Sequence, residues 1–226
     1  VNIGFVLFPN VTQLDFTGPL QVLHRMPGAT THILAKTLDP VPSDCGLSLV
    51  PTGTFAQAPP LDMICVPGGF GVSQAMADAE TLTFVAATGG TATYVTSVCT
   101  GAFILGAAGL LRGKRATTHW AYHHLLSEVG ALPTQSRVVF DGNTITGGGV
   151  TAGIDFALAV LAKVAGSRAA HAVQVALEYD PAPPSTFEQA GAEQGAGMTK
   201  FYASRVEEFA GELRAVLSSQ AIAKHP

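Results

Sequence analysis

Short, continuous apolar runs alternate along this chain with longer stretches of helical character, and few folds accept such a pattern. Residues 3–8 and 61–66 are almost wholly apolar, and residues 93–98 are rich in β-branched side chains. A strand with one wet face alternates apolar and polar residues. A run without that alternation fits a strand buried on both faces. Pro9 and Asn10 stop the first run, and Pro67-Gly68-Gly69 stops the second. Residues 31–36 read as another strand and residues 47–51 as a weaker one. Residues 12–26 turn from loop into a short helix. Residues 80–87, 100–111, Trp120–Val129, 151–164 and 168–177 also read as helices. Residues 138–140 and 144–146 flank Asp141-Gly142-Asn143, a hairpin turn. Strands separated by helices require βαβ crossovers, so the expected fold class is α/β, with a mostly parallel sheet and helices on both faces.

The chain of 226 residues is 47% hydrophobic and only 12% charged, which supplies a large core and excludes a disordered chain. The net charge of -4 comes without any block of Lys or Arg. A nucleic-acid surface needs a basic stripe, so no nucleic-acid partner is expected. No apolar run is long enough for a membrane helix, so no membrane partner is expected either. Cys45, Cys65 and Cys99 are odd in number and scattered, which is neither a disulfide framework nor a metal-binding spacing. They read as free thiols in a reducing compartment. The first residues lack a positive n-region and a small-residue cleavage site and read as a strand. The expected location is the cytoplasm. The expected organisation is a catalytic domain over residues 1–180, a Pro/Gly-rich connector over 181–198 and a helical extension over 199–226. Val206, Phe209, Leu213 and Leu217 form an apolar stripe on that extension, which must pack on the domain or on a partner.

Cys99 carries the strongest chemical signal. It lies between a buried strand and an Ala-rich helix opened by Thr100-Gly101, a turn that holds a nucleophile above the sheet. A helix N-terminus favours a thiolate, so the thiol pKa is expected below its usual value. The alternative is a structural thiol, which is the reading for Cys65 within its apolar strand. If the strands ending at Gly68-Gly69 and at Cys99 are neighbours, their C-terminal ends meet on one rim. The amides of Gly69 and Thr100 then form an anion-stabilising pair; the alternative is a plain glycine turn. Asp15, between Leu14 and Phe16, is expected to be partly desolvated and to act as a general acid; the alternative is a helix N-cap. His119 is a candidate base for Cys99, or a histidine satisfied in the core. His119 and His123 share a helical face, but no further ligands are evident, so no metal is expected. Gly147-Gly148-Gly149 lacks the spacing of a nucleotide-binding loop and reads as close backbone packing.

Leu14-Asp15-x-x-Gly18-Pro19, Val66-Pro67-Gly68-Gly69, Ser97-Val98-Cys99-Thr100-Gly101, Ala116-Thr117-Thr118-His119-Trp120 and Thr151-Ala152-Gly153-Ile154-Asp155 stand in this order between residues 1 and 177. Together they resemble the ThiJ/PfpI superfamily. The resemblance implies a flavodoxin-like sandwich, a homodimer and a reactive cysteine at an elbow. Within the superfamily the chain is most similar to the isocyanide hydratases, which carry Asp where many relatives carry Glu, here Asp15. That resemblance implies hydration of an isocyanide to an N-substituted formamide. Cys99 would form a covalent thioimidate and Asp15 would be the acid and base. Thr100 would assist catalysis, and His119 and Gly69 would support it. Gly68, Gly69, Thr100 and Val150 would bind substrate, and no metal or organic cofactor is implied. Three other functions are compatible with parts of the pattern. One is a glyoxalase or deglycase acting on α-oxoaldehydes. Another is a ligand-sensing domain related to AraC-type regulators, although these 226 residues hold no basic helix-turn-helix. The third is a redox sensor in which Cys99 is oxidised.

Overall fold

A computed structural model describes residues 1–185 and 187–224, with the side chains of 187–199 and 221–224 left out of the description. Its main sheet has seven strands: β1 (Asn2–Val6), β2 (Thr30–Ala35), β3 (Gly53–Thr54), β4 (Met63–Val66), β5 (Tyr94–Val98), β6 (Val138–Asp141) and β7 (Thr144–Gly147). They run in the order β6-β7-β5-β4-β1-β2-β3. All neighbours are parallel except the β6-β7 hairpin. The α/β expectation with a mostly parallel sheet therefore holds. Every residue of β4 is completely buried, which is why its sequence shows no alternation.

The chain builds outward from β1 through β2 to β3, then returns to lay down β4, β5 and β7 on the other side. The direction of building switches between β1 and β4, and ligands of such sheets bind at the C-terminal ends of the strands beside a switch of this kind. On one face α1 (Gln13–Leu23) packs on α5 (Ala152–Ala165), which packs on α6 (Ser167–Ala176). On the other face α2 (Val72–Ala77), α3 (Ala79–Thr91) and α4 (Gly101–Ala107) pack on one another. Asp78 starts α3, its side chain accepting from the Thr81 amide at 2.9 Å.

Three local expectations are corrected. Residues 47–51 do not enter the main sheet. Ser48–Leu49 pairs with Val41–Pro42 in a separate ribbon, because Leu47 and Val50 are exposed and offer no buried face. The edge position belongs instead to β3. Trp120–Val129 is helical as expected, but as a tight 3-10 helix. Part of the expected connector is helix, because α7 spans Phe187–Lys224. Glycine lowers helix propensity, so that stretch reads as a linker.

The apolar stripe on α7 is buried within its own chain. Leu213 is fully buried, Phe209 and Ala210 nearly so, and Val206 and Leu217 pack against the core from its edge. Phe209 meets Phe103 and Tyr122 edge-on, with ring centroids 4.9 and 5.2 Å apart. Arg214 forks onto Glu128 at 2.6 and 3.0 Å. Since this stripe has an intramolecular partner, it gives no independent reason for a dimer. Among the described residues no helix is long and apolar enough to cross a membrane.

Candidate active site

Cys99 follows the last residue of β5 and sits two residues before α4, with a φ of 56°. A non-glycine residue in that region costs on the order of 1–3 kcal/mol, so its surroundings must hold it there. Its amide donates to the carbonyls of Gly147 and Gly148 at 3.1 and 3.0 Å. Thr118 Oγ1 donates to its carbonyl at 2.7 Å. The backbone N–H groups of Val150 and Thr100 are directed at Sγ. Val150 is itself strained, with a φ of 33°. It sits on the turn that joins β7 to α5, so the hairpin strand β7 presents one amide to the sulfur and the start of α4 presents the other.

The neighbouring strand supplies the second wall. The β4-β5 register aligns Val66 with Ser97, so Gly68 and Gly69 leave β4 beside the turn at Cys99. A Cβ on Gly68 would stand 2.6 Å from the Thr100 amide nitrogen and 2.8 Å from Asp15 Oδ2, so only glycine fits. Gly69 has a φ of 142°, which side-chain-bearing residues rarely adopt. Its N–H donates to Thr100 Oγ1 at 3.1 Å. Gly69 is thus engaged with the Thr100 hydroxyl, while the backbone groups of Thr100 and Val150 favour the anionic form of the thiol.

Asp15 is completely buried in the first turn of α1, but it does not cap that helix. Its Oδ2 accepts from the Gly68 amide at 3.1 Å. Its Oδ1 has no hydrogen-bond partner of normal geometry. The Cys99 thiol is the carboxyl's other polar neighbour. Burial pushes the Asp15 pKa up to about 7; the thiol and the Gly68 amide oppose that rise, and Asp44 adds to it. Cys99 is also shifted upward, well above the ordinary thiol range, first by burial and then by the charge of Asp15. The expected low thiol pKa is therefore reversed. Helix α4 has only seven residues, and its terminal amides are outweighed by burial and a carboxylate in contact. Asp15 and Cys99 are two contacting acids, both shifted toward their protonated forms.

His119 is brought to the same site but not to the sulfur. It precedes the 3-10 helix, and Nδ1 accepts from the Ala121 amide at 3.3 Å. Burial pulls its pKa down to about 4. The ring is therefore neutral, with its proton on Nε2, and no hydrogen bond joins it to Cys99 among the described contacts. It walls a cavity of ≈ 70 Å³ above Cys99, together with Phe70, Tyr122, Val150 and Tyr202. Phe70, Tyr122 and Tyr202 were not among the residues read from the sequence. Phe70 directly follows Gly69, and Tyr122 is one helical turn from His119. Tyr202 carried no signal, because it comes from α7, far along the chain.

The motif at residues 151–155 supports the site from behind. Asp155 is held by Arg137 and accepts from the Tyr179 hydroxyl at 2.9 Å, while the Gly148 amide donates to the Arg137 carbonyl at 2.9 Å. These bonds hold the turn that carries Val150. Cys65 is fully buried, with a pKa pushed up to about 12, and Cys45 is exposed. No group of three His, Cys, Asp or Glu among the described residues is placed to hold a metal ion.

Comparison with known proteins places the chain in a family. The DJ-1/PfpI family matches residues 1–163. The chain is 58% identical over 184 residues to a protein named isonitrile hydratase from Pseudomonas putida, covering 81% of each. It is 28% identical over 187 residues to the HTH-type transcriptional regulator GbdR of Pseudomonas aeruginosa, covering 79% of this chain and 51% of that one. A crystal structure of a ThiJ/PfpI family protein from Pseudomonas syringae superposes with a TM-score of 0.89 at 43% identity, covering 96% of this chain and 90% of that one.

Proposed function

Because this chain belongs to the DJ-1/PfpI family, we propose that it is an isonitrile hydratase that converts an isocyanide and water into an N-substituted formamide. The observation that carries the reading is the fully buried Asp15 carboxyl, with one unpartnered oxygen, beside a cysteine held at a strained turn. The 58% identity to the Pseudomonas putida enzyme supplies the substrate class.

The chemistry follows from the contact between the carboxyl and the thiol. The terminal carbon of an isocyanide is electrophilic and carries a lone pair. Cys99 Sγ bonds to that carbon as Asp15 takes the thiol proton, and Asp15 then delivers it to the same carbon. The product is a thioimidate, R–N=CH–S–Cys99. Water adds to the imidate carbon, giving one proton to nitrogen with Asp15 as the relay. Collapse breaks the C–S bond, returns a proton to sulfur and releases R–NH–CHO. The Thr100 and Val150 amides stabilise developing charge on sulfur at both ends of the sequence. Thr100 also fixes Gly69 through its hydroxyl, and His119 shapes the cavity as a neutral wall. Gly69, Thr100 and Val150 line the substrate's path to the sulfur, while Gly68, expected to bind substrate, holds the Asp15 carboxyl through its amide. We also propose a homodimer, on the family resemblance.

The test is incubation with an alkyl isocyanide, with formamide followed by NMR and the protein by intact mass. Formamide is expected from the native protein, with a transient adduct on Cys99. A folded Cys99→Ser variant is expected to lose turnover. Isocyanide binding without formamide would point to a sensor, in line with the resemblance to GbdR, and would end the hydratase reading.

A further inference from the structure

Next to the cavity above Cys99 lies a second one, of ≈ 260 Å³. The first is half-open, and the two share Gly69, Phe70, Thr100 and Tyr122. Thr100 carries one of the two amides directed at the sulfur, so the second cavity begins beside the reacting atoms. At ≈ 70 Å³ the space above Cys99 is far below the roughly 300–1,000 Å³ of pockets that enclose a whole ligand. It takes the isocyano end of a substrate, and the substituent lies outside it. A third cavity, of ≈ 720 Å³, meets the cysteine cavity only at His119 and Val150, where the neutral His119 ring is the wall. The opening toward the second cavity is the wider of the two.

Helix α7 makes the second cavity polar. Arg205, Glu208 and Glu212 line it, spaced three and four residues apart on one helix face. The Arg205 guanidinium lies over the rings of Phe70 and Phe201, 4.4 and 4.7 Å from their centroids. Those contacts hold the charge in place without supplying an acceptor for its N–H groups. Among the described residues no ion pair joins Arg205 to Glu208 or Glu212, although all three face one space. The cavity therefore keeps strong donors and strong acceptors apart. A carboxylate would suit Arg205 but meet two glutamates. An ammonium would suit the glutamates but meet Arg205. A primary amide carries a carbonyl and an NH2 group in one plane, and it offers each side its complement without net charge.

We propose that this cavity is a subsite for the substituent of the isocyanide and that it takes a primary amide, with Arg205 donating to the carbonyl and Glu208 or Glu212 accepting from the NH2 group. Hydrocarbon-substituted isocyanides pass the same opening without these bonds. The proposal rests on the hydratase reading for the isocyano group, but the subsite can be judged apart from it. The first measurement is kcat/KM for 3-isocyanopropanamide and for isopentyl isocyanide, which match in length and branching. Arg205→Met is expected to lower the amide-to-hydrocarbon ratio about two- to tenfold, as loss of one hydrogen bond of ordinary net strength does. The double variant Glu208→Met/Glu212→Met is expected to lower it likewise, and it decides the matter if Arg205→Met does not fold. The native protein is expected to favour the amide over 3-isocyanopropanoate and over 3-isocyanopropylammonium. The second measurement needs no turnover. It is an NMR titration of the Cys99→Ser protein with 3-formamidopropanamide, read at the Arg205 Nε–H signal. That signal is expected to shift, and N-isopentylformamide is expected to leave it in place. If the native protein makes no formamide, the hydratase reading fails while the titration still judges the subsite. A ratio that neither variant lowers, a preference for either charged analogue, or an unshifted Arg205 signal overturns the proposal.

Discussion

Asp15 and Cys99 are two acids in one buried space, and their coupling makes a stability prediction with a definite sign. Burial raises the Asp15 pKa from its ordinary 3.8 to about 7. The folded chain therefore keeps a proton that the unfolded chain has already lost. Below about pH 4 both states are protonated and the group is neutral toward stability. Between about pH 4 and 7 stability falls as pH rises, and above 7 the cost is constant, on the order of a few kcal/mol. Asn cannot ionise, and its side-chain oxygen can still accept from the Gly68 amide. Asp15→Asn is thus expected to melt higher than the native protein at pH 8, with the gap closing toward pH 5. The same variant is expected to lose about 10²–10⁴-fold in turnover, as removal of a general acid does. A helix cap would predict neither change, since Asn caps as well as Asp. Equal melting at both pH values together with full turnover would remove Asp15 from the mechanism. The apolar neighbours of Asp15 offered a raised pKa beside a helix cap, and only the burial of the carboxyl decided between them. That the thiol would be raised with it was not legible, since their contact joins two helices and two strands.

Helix α7 shows how far a pattern along one element can be read. Its stripe announced a buried face, and Phe209 and Leu213 form that face. The stripe could not say which surface it meets. Leu213 is completely buried. Leu213→Ala is therefore expected to cost about 2–5 kcal/mol, as other buried leucines do. Hydrogen exchange should register the loss in α7 before the sheet opens. Unchanged protection of α7 would mean that its docking does not depend on this contact. The exposed Arg214–Glu128 pair is expected to matter much less, because water and salt screen it. Strand β3 illustrates the opposite case: Gly53–Thr54 has too few residues to carry any period, and its place on the edge is set by β2.

Across the whole molecule the sheet order determines where chemistry can occur. β1, β4 and β5 lie side by side, so the loops at their C-terminal ends bring Asp15, Gly68 and Cys99 together from three separate stretches of chain. The expected homodimer belongs to this level. Its support is the family resemblance, since the α7 stripe is already buried within the chain. Equilibrium sedimentation at micromolar concentration is expected to give twice the chain mass. A single chain mass would remove the dimer.

Local order along the chain pointed to an α/β fold and to a turn at Cys99, but it left the rim shared with Gly68-Gly69 conditional on strand pairing and Asp15 open between a desolvated carboxyl and a helix cap. Each of these readings follows from a run, a turn or a neighbour within a few residues, where sterics and periodicity act directly. Tertiary structure alone decided the direction of the thiol shift, the engagement of the Gly69 amide by Thr100, the neutral state of His119 and the entry of Tyr202. Those properties arise from burial and from contacts between distant segments. Desolvation and Coulomb interactions depend on distance in space, and the distance between Tyr202 and Cys99 is set only when α7 docks.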